Sequence, residues 1–345
     1  MSNLPKISVV IPTLNAANVV RDCLYSISIQ DYPKDKIEIL IIDGGSNDRT
    51  LEIARGFGAR ILMNELKTAE AGKSVGVKNA TGDMIALIDS DNILPDKKWL
   101  KEMVSPLLEE PEAVGSEPWK YTWRKEDGFI TRYCALIGMN DPLIHFLGNY
   151  DRYNLLTGKW TEVERREEDR GAYLLVEFNP GKIPTIGANG TVFRAKFLKN
   201  SLIGDYLFDI DILSRCAEVS GSVQFIKVKN GIVHTYCEKS VSKFAKKQRR
   251  RVRDYLFHKA LGNRVYNWEA AGLSFGNSIR LFKFILYTVT FVPLVLQAMY
   301  GYSKKKDVAW FFHPLACLIT LWEYGRGVIE SRFKKGELDR NKWSQ

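Results

Sequence analysis

Blocks of apolar and polar residues alternate along the first hundred residues. Four short apolar runs end in polar or turn residues, as expected of strands buried on both faces of a sheet; they cover residues 6–15, 37–43, 59–63 and 84–88. Between them apolar residues recur at helical spacing, in residues 18–30, from Thr50 onwards and in residues 71–80. Strands that alternate with helices predict an α/β fold with a mostly parallel sheet flanked by helices.

Two acids follow the fourth apolar run directly. Asp89 and Asp91 are one residue apart, so an extended backbone would point both side chains the same way. Ligands of parallel α/β sheets bind just beyond the carboxyl ends of the strands, and paired carboxylates suit a hard divalent cation with phosphate oxygens as further ligands. Taken alone, Asp-Ser-Asp is also typical of a solvated turn.

The second half of the chain has a weaker pattern. A helix is expected at residues 99–108, and residues 109–126 mix Pro, Trp and charge as a connecting segment would. Residues 138–142 and the charged run 162–170 are expected to be loops. A later strand should end at His234.

Four motifs in the first hundred residues, in this order and spacing, resemble those of family 2 glycosyltransferases, which have the GT-A fold. They are Val10-Ile11-Pro12-Thr13-Leu14-Asn15, residues 42–50 (Ile-Asp-Gly-Gly-Ser-Asn-Asp-Arg-Thr), residues 78–83 (Lys-Asn-Ala-Thr-Gly-Asp) and Asp89-Ser90-Asp91. A dinucleotide-binding fold would instead need G-x-G-x-x-G after the first strand.

The resemblance implies a nucleotide-sugar site on this half. Thr13 and Asn15 would line the nucleotide pocket, Asp43 would accept a hydrogen bond from the base, and Asp48 would shape its turn. Asp91 would bind the metal that bridges the diphosphate, with Asp89 facing the ribose or the metal. Ala16 stands where many relatives carry Glu. Lys73 and Lys78 could help to bind phosphate, but both are expected to be solvated helix lysines. The implied donor-binding residues are Pro12, Thr13, Asn15, Asp43, Asp48, Lys78, Asp89, Ser90 and Asp91.

The resemblance also implies an acceptor side and a catalytic base. Asp209 is the candidate general base, because a hydroxyl is a poor nucleophile at neutral pH and needs a positioned carboxylate; Asp211 is the fallback. Phe208 stands where relatives carry Glu. His234 is a possible third metal ligand, although a lone His is often structural. Residues expected on the acceptor or diphosphate side are Asn189, Gly190, Gln248 and Arg251.

Charge and cysteine content narrow the setting. The 345 residues carry 50 Lys and Arg against 40 Asp and Glu, a net charge of +10 and a pI near 9.2, which favours polyanionic partners. The five scattered cysteines form no C-x-x-C pair, so neither a zinc site nor a disulfide framework is indicated. No signal peptide is recognised at the N-terminus, and a cytosolic setting is expected.

A hydrophobic region closes the chain. Residues 284–302 and 308–322 are mostly apolar, interrupted by Pro293 and Pro314. The second run is short for a membrane span, and Lys304-Lys305-Lys306 between the two would be expected to stay cytoplasmic. We therefore expect a peripheral or monotopic helical hairpin, with burial against the catalytic domain or in an oligomer interface as the alternative. The basic run at residues 246–253 would face anionic lipid heads.

These observations predict a GT-A catalytic domain at residues 1–260, with a nucleotide half at about 1–100 and an acceptor half at about 101–260. Residues 261–345 would form a C-terminal hydrophobic, membrane-associating helical region. The expected activity is inverting transfer of a sugar from a nucleotide sugar (UDP by family prior, GDP as the alternative) to a hydroxyl of a lipid-linked or growing glycan. The expected cofactor is a divalent cation, manganese or magnesium, and the expected location is the cytoplasmic face of a membrane. A polyprenyl-phosphate sugar synthase with a phosphate acceptor is the second candidate, and a basic nucleic-acid-binding protein is a remote one; no nucleic-acid partner is expected.

Overall fold

A computed structural model describes residues 4–202, 204–262, 264, 266 and 275–333. Residues 267–274 and 334–345 of the predicted C-terminal region therefore lie outside the described residues. The strands are β1 Ile7–Thr13, β2 Ile37–Asp43, β3 Arg60–Met63, β4 Met84–Leu87, β5 Asn92–Ile93, β6 Gly115–Tyr121, β7 Arg166–Asp169, β8 Tyr173–Phe178, β9 Thr191–Arg194 and β10 Val223–His234.

Helices cover both faces of the sheet and form the C-terminal part of the described chain. They are α1 Val20–Ser28, α2 Thr50–Gly56, α3 Ala69–Asn79, α4 Trp99–Glu109, α5 Phe129–Ile137, α6 Pro142–Leu147, α7 Ala195–Ser201, α8 Asp209–Ser220, α9 Val241–Ala260, α10 Phe275–Thr290, α11 Val292–Lys304 and α12 His313–Phe333. Short 3₁₀ turns occupy Lys34–Lys36 and Val308–Phe312.

One mixed sheet runs through the molecule in the order β3-β2-β1-β4-β9-β6-β10-β8-β7, with β5 paired to β10. The strands β3, β2, β1 and β4 are parallel to one another, and β6 is parallel to β10. The remaining pairings are antiparallel. The α/β fold with a helix-flanked sheet is thus confirmed, with its purely parallel part confined to the first four strands.

The apolar runs of the first half are continuous because their strands are covered on both faces. In β1, Val9 and Ile11 point into one apolar cluster with the side chains of α1 and α4, whereas Val10 points into the other. Leu40 and Ile42 of β2 share that second cluster, and all of these side chains are fully buried. Alternate residues of a strand face opposite sides, so both clusters need apolar side chains from the same strand.

The connecting segment predicted at residues 109–126 contains a strand near the centre of the sheet. β6 lies between β9 and β10, yet its sequence carries Glu117 and Pro118, residues that are rare in buried strands. Glu117 is tolerated because it is ion-paired inside the protein with Arg152 and Lys227. The predicted loop at residues 162–170 likewise contains β7, an edge strand whose side chains are all exposed.

The two apolar runs near the C-terminus form bent and packed helices. The chain turns by 93° between residues Ser278–Thr290 and Val292–Lys304, where Phe291 has a φ of +64° and Pro293 follows. Among the described residues, no single helix is both long and apolar enough to cross a membrane; this bent pair meets that criterion only when its two helices are taken together.

Helices α9 and α12 pack against each other along their length. Arg249 pairs with Glu323 at 2.7 Å and Arg253 pairs with Glu330 at 3.3 Å. Gly327 lies against Val252, and a Cβ at this position would collide with the valine. The C-terminal helix is therefore fitted to α9.

Glycine in α3 sets how closely this helix approaches β1. A Cβ on Gly76 would collide with Val10, a fully buried strand residue. We expect Gly76→Ala to lower the free energy of unfolding by about 1–3 kcal/mol, the usual effect of overpacking a core, as measured by urea denaturation. Gly56→Ala, in a helix and with open space around the added Cβ, is the matched control and should leave stability unchanged or slightly raised. Equal effects of the two changes would contradict the packing argument.

Candidate active site

Three parallel strands, β1, β2 and β4, end at the same edge of the sheet. Thr13 ends β1, Asp43 ends β2, and Asp89 and Asp91 follow β4. Because ligands of open α/β sheets bind beyond the carboxyl ends of strands, this edge is the natural place for a substrate. Residues from three separate sequence motifs thus meet at one edge.

Asp43 is fully buried and its carboxylate accepts four hydrogen bonds. Oδ1 accepts from the hydroxyls of Thr13 (3.1 Å) and Ser46 (2.5 Å). Oδ2 accepts from the backbone N–H groups of Gly45 (2.9 Å) and Ser46 (2.7 Å). The predicted contact with a base would have to replace one of these bonds, and in this conformation Asp43 holds the turn after β2.

Asn15 and Asp48 fasten the loops after β1 and β2 to each other. Asn15 has a φ of +50°, a left-handed conformation that Asn tolerates better than most residues. Its N–H donates to Ser46 Oγ over 2.8 Å, and Asn47 N–H donates to Asn15 Oδ1 over 2.9 Å. Asp48 accepts from Ala17 N–H at 3.0 Å. Asn15 and Asp48 therefore fix the shape of the loops after β1 and β2.

Asp91 lies next to His234, 143 positions later in the chain, because β5 pairs with the end of β10. The short strand Asn92–Ile93 runs antiparallel to β10, and Thr235 N–H donates to the Asp91 carbonyl over 2.9 Å. His234 Nε2 is 3.3 Å from Asp91 Oδ1. Lys247 Nζ of α9 is 3.7 Å from Asp91 Oδ2. The structure therefore brings together the carboxylate and the imidazole that the sequence proposed as metal ligands.

The two acids at the end of β4 have different electrostatic surroundings. Burial acts to raise the pKa of Asp91, but His234 and Lys247 outweigh it and hold the pKa well below its usual range. Burial raises the pKa of Asp89; Lys73 opposes that rise and Asp91 adds to it. Asp91 is therefore the more firmly ionised of the two carboxylates and the better ligand for a cation.

Asp209 is the first residue of α8, and its side chain is buried beside Lys73 of α3. Lys73 Nζ donates to Asp209 Oδ2 over 3.3 Å, while Asp209 Oδ1 has no hydrogen-bond partner among the described residues. Burial raises the pKa of Asp209, and Lys73 opposes the rise. The prediction that Lys73 is solvated is wrong: burial disfavours its charge, but Asp209, Asp89 and Glu70 surround it and raise its pKa.

Asp211, the fallback base, is engaged in a buried ion pair. Arg264 Nε donates to its Oδ2 over 2.7 Å, and Tyr266 N–H donates to Oδ1 over 2.9 Å. The Arg264 guanidinium also lies over the Phe208 ring, 4.3 Å from its centre. These contacts assign Asp211 to holding the chain after α9, and they do not support it as a base.

Asn189 and Gly190 lie against the loop that carries the two acids. Asn92 Nδ2 donates to Asn189 Oδ1 over 3.1 Å, and Asn92 Oδ1 accepts from Asp89 N–H over 2.9 Å. Gly190 has a φ of +83°, and a Cβ there would crowd Ile232 and Trp99. Only glycine fits this approach, so the segment before β9 is closely tied to the acid loop.

A fully buried network of charges supports Asn189 from behind. Arg152 donates to the Asn189 carbonyl over 2.9 Å and pairs with both Glu117 and Asp151. Lys227 donates to Glu117 Oε2 over 2.5 Å and to the Asp151 carbonyl over 2.6 Å. Burial raises the pKa of Asp151 to about 7 and lowers that of Lys227 to about 8. The network connects the core of the sheet to the wall of the site.

The same arginine also supports the histidine side. The Arg152 guanidinium lies 5.5 Å from the centre of the Tyr121 ring, and that ring lies 5.5 Å from the imidazole of His234. Arg152 is thus linked to Asp89 through Asn189 and Asn92, and to His234 through Tyr121.

Gln248 and Arg251 reach the other edge of His234 through Asn140. Gln248 is fully buried and donates to the Asn140 carbonyl over 2.8 Å, and Arg251 donates to Gln248 Oε1 over 2.9 Å. Asn140 Nδ2 is 3.3 Å from His234 Nδ1. The two predicted acceptor-side residues therefore hold the surroundings of His234.

Two of the predicted donor-binding residues occupy less informative positions. Lys78 pairs with Asp205 at 3.2 Å on the surface, with both side chains largely exposed. Ser90 is half-buried between the two acids. Neither makes a contact that indicates a role in binding.

A cavity of about 360 Å³ is lined by chain neighbours of the catalytic candidates, among them Phe208 and Ile210 on either side of Asp209. Its walls come from segments of the acceptor half, including α8 and α9, and from Tyr324 of the C-terminal helix α12. Lining residues relevant to its chemistry are Asp151, Asn189, Phe208, Lys247, Arg251 and Tyr324.

A metal would have to draw part of its coordination from a ligand or water. Within the described part of the chain, no three His, Cys, Asp or Glu side chains are close enough together to hold an ion. Asp91 and His234 nevertheless offer one carboxylate oxygen and one imidazole nitrogen side by side, a donor set that Mn²⁺ accepts. Lys247, whose Nζ lies 3.7 Å from Asp91 Oδ2, gives this carboxylate a counter-charge.

Sequence reasoning missed the residues that act through distant contacts. Lys73 and Lys247 are ordinary lysines on helices, and the Arg152–Glu117–Lys227 network joins segments up to 110 residues apart. The only local signal was the presence of Glu and Pro in an otherwise strand-like stretch at β6.

Comparison with known proteins agrees with this geometry. The sequence model described as glycosyl transferase family 2 matches residues 8–199, more than half of the chain. AglE, a glycosyltransferase of Haloferax volcanii, is 36% identical over 112 residues, which cover 31% of this chain and 36% of AglE. GlyG, a glycosyltransferase of Streptococcus pneumoniae serotype 4, is 32% identical over 163 residues, 45% of this chain and 51% of GlyG.

A third relative extends the comparison. The dolichyl N-acetyl-alpha-D-glucosaminyl phosphate 3-beta-D-2,3-diacetamido-2,3-dideoxy-beta-D-glucuronosyltransferase of Methanococcus voltae is 32% identical over 120 residues, 32% of this chain and 37% of that protein. All three matches cover only about a third to a half of the relatives' length.

The solved structure shares the fold over nearly the whole chain. The mannosyltransferase PcManGT of Pyrobaculum calidifontis, solved with GDP-Man and Mn²⁺, superposes with a TM-score of 0.54 and 14% identity over 95% of this chain and 88% of its own. The GT-A-type fold predicted from the motifs is therefore confirmed. With its family model matched over residues 8–199 and its motifs assembled at one sheet edge, the chain belongs to glycosyl transferase family 2.

Proposed function

We propose that this protein is a metal-dependent, inverting glycosyltransferase that moves a sugar from a nucleotide sugar to a hydroxyl of a lipid-linked or growing glycan. The observation that carries the proposal is the pair of acids with opposite electrostatic settings. Asp91 is held ionised beside His234 and Lys247, whereas Asp209 is buried with a raised pKa beside Lys73. Such a divergence is typical of acids with different catalytic tasks.

The nucleotide side of the donor fits the loops after β1 and β2. Directly after Pro12, the residues Thr13, Asn15 and Asp43 form a frame of hydrogen bonds with Ser46 at the edge of the sheet. A frame set before binding costs less entropy when a ligand is bound. UDP is the first choice of nucleotide and GDP the second; the neighbour PcManGT, solved with GDP-Man, supports testing both.

Asp91 and His234 would hold the cation, with Asp89 at its side. When bound, a divalent cation supplies electrostatic stabilisation for the negative charge that develops on the departing diphosphate. The complex of PcManGT with Mn²⁺ supports manganese as the first ion to test. Asn92 and Thr235 keep Asp89 and Asp91 in place by hydrogen bonds.

Asp209 would act as the general base. Its Oδ2 is held by Lys73, so Oδ1, which has no partner among the described residues, is the oxygen that would accept the acceptor proton. As that proton moves to Oδ1, the acceptor oxygen forms a bond to C1 of the sugar. The bond from C1 to the diphosphate oxygen breaks, and its electron pair leaves with the nucleoside diphosphate. Attack from the face opposite the leaving group inverts the anomeric carbon.

We also propose that the acceptor is membrane-linked and that transfer takes place at the cytoplasmic face. The support is twofold: the relative from Methanococcus voltae is named for a dolichyl-phosphate-linked sugar acceptor, and the cavity beside Asp209 is walled in part by the C-terminal helix. A polyprenyl-phosphate sugar synthase remains the second candidate, because the basic residues Lys247 and Arg251 lining the cavity would also suit a phosphate acceptor.

The donor and the metal can be tested together by a thermal-shift panel of nucleoside diphosphates and nucleotide sugars with and without Mn²⁺. We expect one nucleotide to raise Tm only when Mn²⁺ is present. In Asp91→Asn the nucleotide affinity in Mn²⁺ should fall at least ~10-fold, about 1.4 kcal/mol, because a cation ligand is lost. Asp35→Asn, the same change at an exposed aspartate, is the control. No shift with any nucleotide would sink the proposal.

Asp209→Asn tests the base and the acceptor class. We expect turnover with a hydroxyl acceptor to fall ~10²–10⁴-fold, the usual contribution of a general base, while the donor Kd stays unchanged. Turnover and donor binding are measured on the same preparation. If Asp209→Asn keeps full transfer while Asp91→Asn loses it, the acceptor is already ionised and the phosphate-acceptor alternative is favoured.

The buried lysine predicts a change in the pH profile. Burial raises the pKa of Asp209, so activity should fall as the pH drops through a value above the ordinary aspartate range. Lys73 opposes that rise, and Lys73→Met should therefore move the acidic limb of kcat/KM to higher pH. Lys101→Met, at an exposed ion pair with Asp31, is the control and should leave the limb in place. A limb that stays put in both variants would rule out coupling between Lys73 and the base.

A further inference from the structure

The outer surfaces of α10 and α11 are almost entirely apolar. Most of the exposed large hydrophobic side chains in the described chain lie between residues 279 and 333, and few lie in residues 4–262. On α10 and α11 they cover most of the outward arc. These residues are Ile279, Leu281, Phe282, Ile285, Leu286, Val289, Phe291, Val292, Leu296, Met299 and Tyr300.

The C-terminal helix α12 continues this surface with a narrow apolar stripe. Leu315, Leu318, Trp322 and Ile329 recur at intervals of three, four and seven residues, which places them on one side of the helix. The opposite side of α12 is buried against the catalytic part. We call the exposed apolar residues of α10, α11 and α12 together the outer face.

The exposed charged side chains of residues 278–333 all have one sign. The acids in residues 278–333 are turned inward or paired: Asp307 is held by Arg132, Glu323 by Arg249 and Glu330 by Arg253. The exposed charged side chains in the same range are lysines and arginines, among them Lys283, Lys304, Lys306, Arg326 and Arg332. An apolar face with a basic rim is the pattern of helices that lie in the headgroup region of a bilayer.

We propose that the outer face docks on the surface of an anionic phospholipid bilayer, with α10, α11 and α12 lying in the plane of the membrane. The proposal names the surface that would make the membrane contact of the proposed function. Only the choice of the cytoplasmic side rests on that proposed function. The helix geometry favours lying over crossing: each arm of the bent pair is roughly 20–24 Å long, shorter than the ~30 Å hydrocarbon core, and the arms meet at 93°.

A second copy of this chain is the competing occupant. Two outer faces pressed together in a symmetric dimer would bring the basic side chains of residues 278–333 of both copies to one interface, where that range offers no exposed acid to pair with them. Like charges that meet across an interface disfavour association, whereas anionic lipid headgroups neutralise the same residues. The basic rim therefore selects the bilayer.

The test is flotation of the full chain with vesicles of phosphatidylcholine, alone or with about one third phosphatidylglycerol. We expect binding to the anionic vesicles that weakens in high salt. A variant carrying Phe282→Gln, Val289→Gln, Leu296→Gln and Trp322→Gln should bind ~10-fold less or worse. The matched control carries Tyr25→Gln, Met63→Gln, Leu108→Gln and Val219→Gln, which remove four exposed apolar side chains from residues 4–260, and it should float like the wild type.

The oligomeric state and nucleotide binding of each preparation complete the test. Nucleotide-dependent thermal shifts report the proposed donor site independently of the vesicles, so failure of the sugar-transfer proposal and failure of the docking proposal give different results. Docking is overturned if the outer-face variant floats as well as the wild type. It is also overturned if the wild type does not float with the anionic vesicles, whether it stays monomeric or forms a dimer that the same four substitutions dissociate.

Discussion

The buried charges Arg152, Glu117 and Lys227 constrain the whole acceptor half. Each side chain is fully inside the protein, where an isolated charge is very costly and only well-placed partners offset the loss of water. Such a network need not add net stability, but it restricts the conformation of its members. If one side chain moved, its partners would be left as buried charges without a counter-charge. Arg152 passes this constraint to Asn189 and to the Tyr121 ring. The loop with Asp89 and the imidazole of His234 are therefore positioned by charges that lie behind them.

In front of this network, three aspartates have different partners. Asp91 has His234 and Lys247, Asp209 has Lys73, and Asp211 has Arg264. Burial raises a carboxyl pKa and nearby positive charge lowers it, so the direction of the shift depends on which effect is larger. The pKa of Asp91 is lowered and that of Asp209 is raised. Asp211 uses both oxygens on its arginine and on a backbone N–H. Similar residues thus differ in chemical character through their surroundings alone.

Much of the nucleotide half could be predicted from local sequence. The strands β1, β2 and β4 are continuous apolar runs because both of their faces are covered, and the turn residues after them are polar. The strand β6 escaped prediction because Glu117 looks like a surface residue until Arg152 and Lys227 are seen beside it. Lys73 was misjudged for the same reason, since its partner Asp209 is 136 residues away. Pairings between residues so far apart in the chain leave no periodic pattern in the sequence. The choice between Asp209 and Asp211 as the base depended on such a pairing, the contact of Asp211 with Arg264.

The pairing of Asp211 with Arg264 and Tyr266 has a bearing on how separable the parts of this protein are. Those two residues lie just beyond residue 260, where the sequence suggested that a catalytic module ends, and Arg249 and Arg253 reach across to Glu323 and Glu330. Shortening the chain at residue 260 would strip the partners from an acid at the head of α8 and expose the inner side of α9. The helical tail is thus a fitted component of the catalytic core, and exchanging it between relatives would require exchanging its contacts as well.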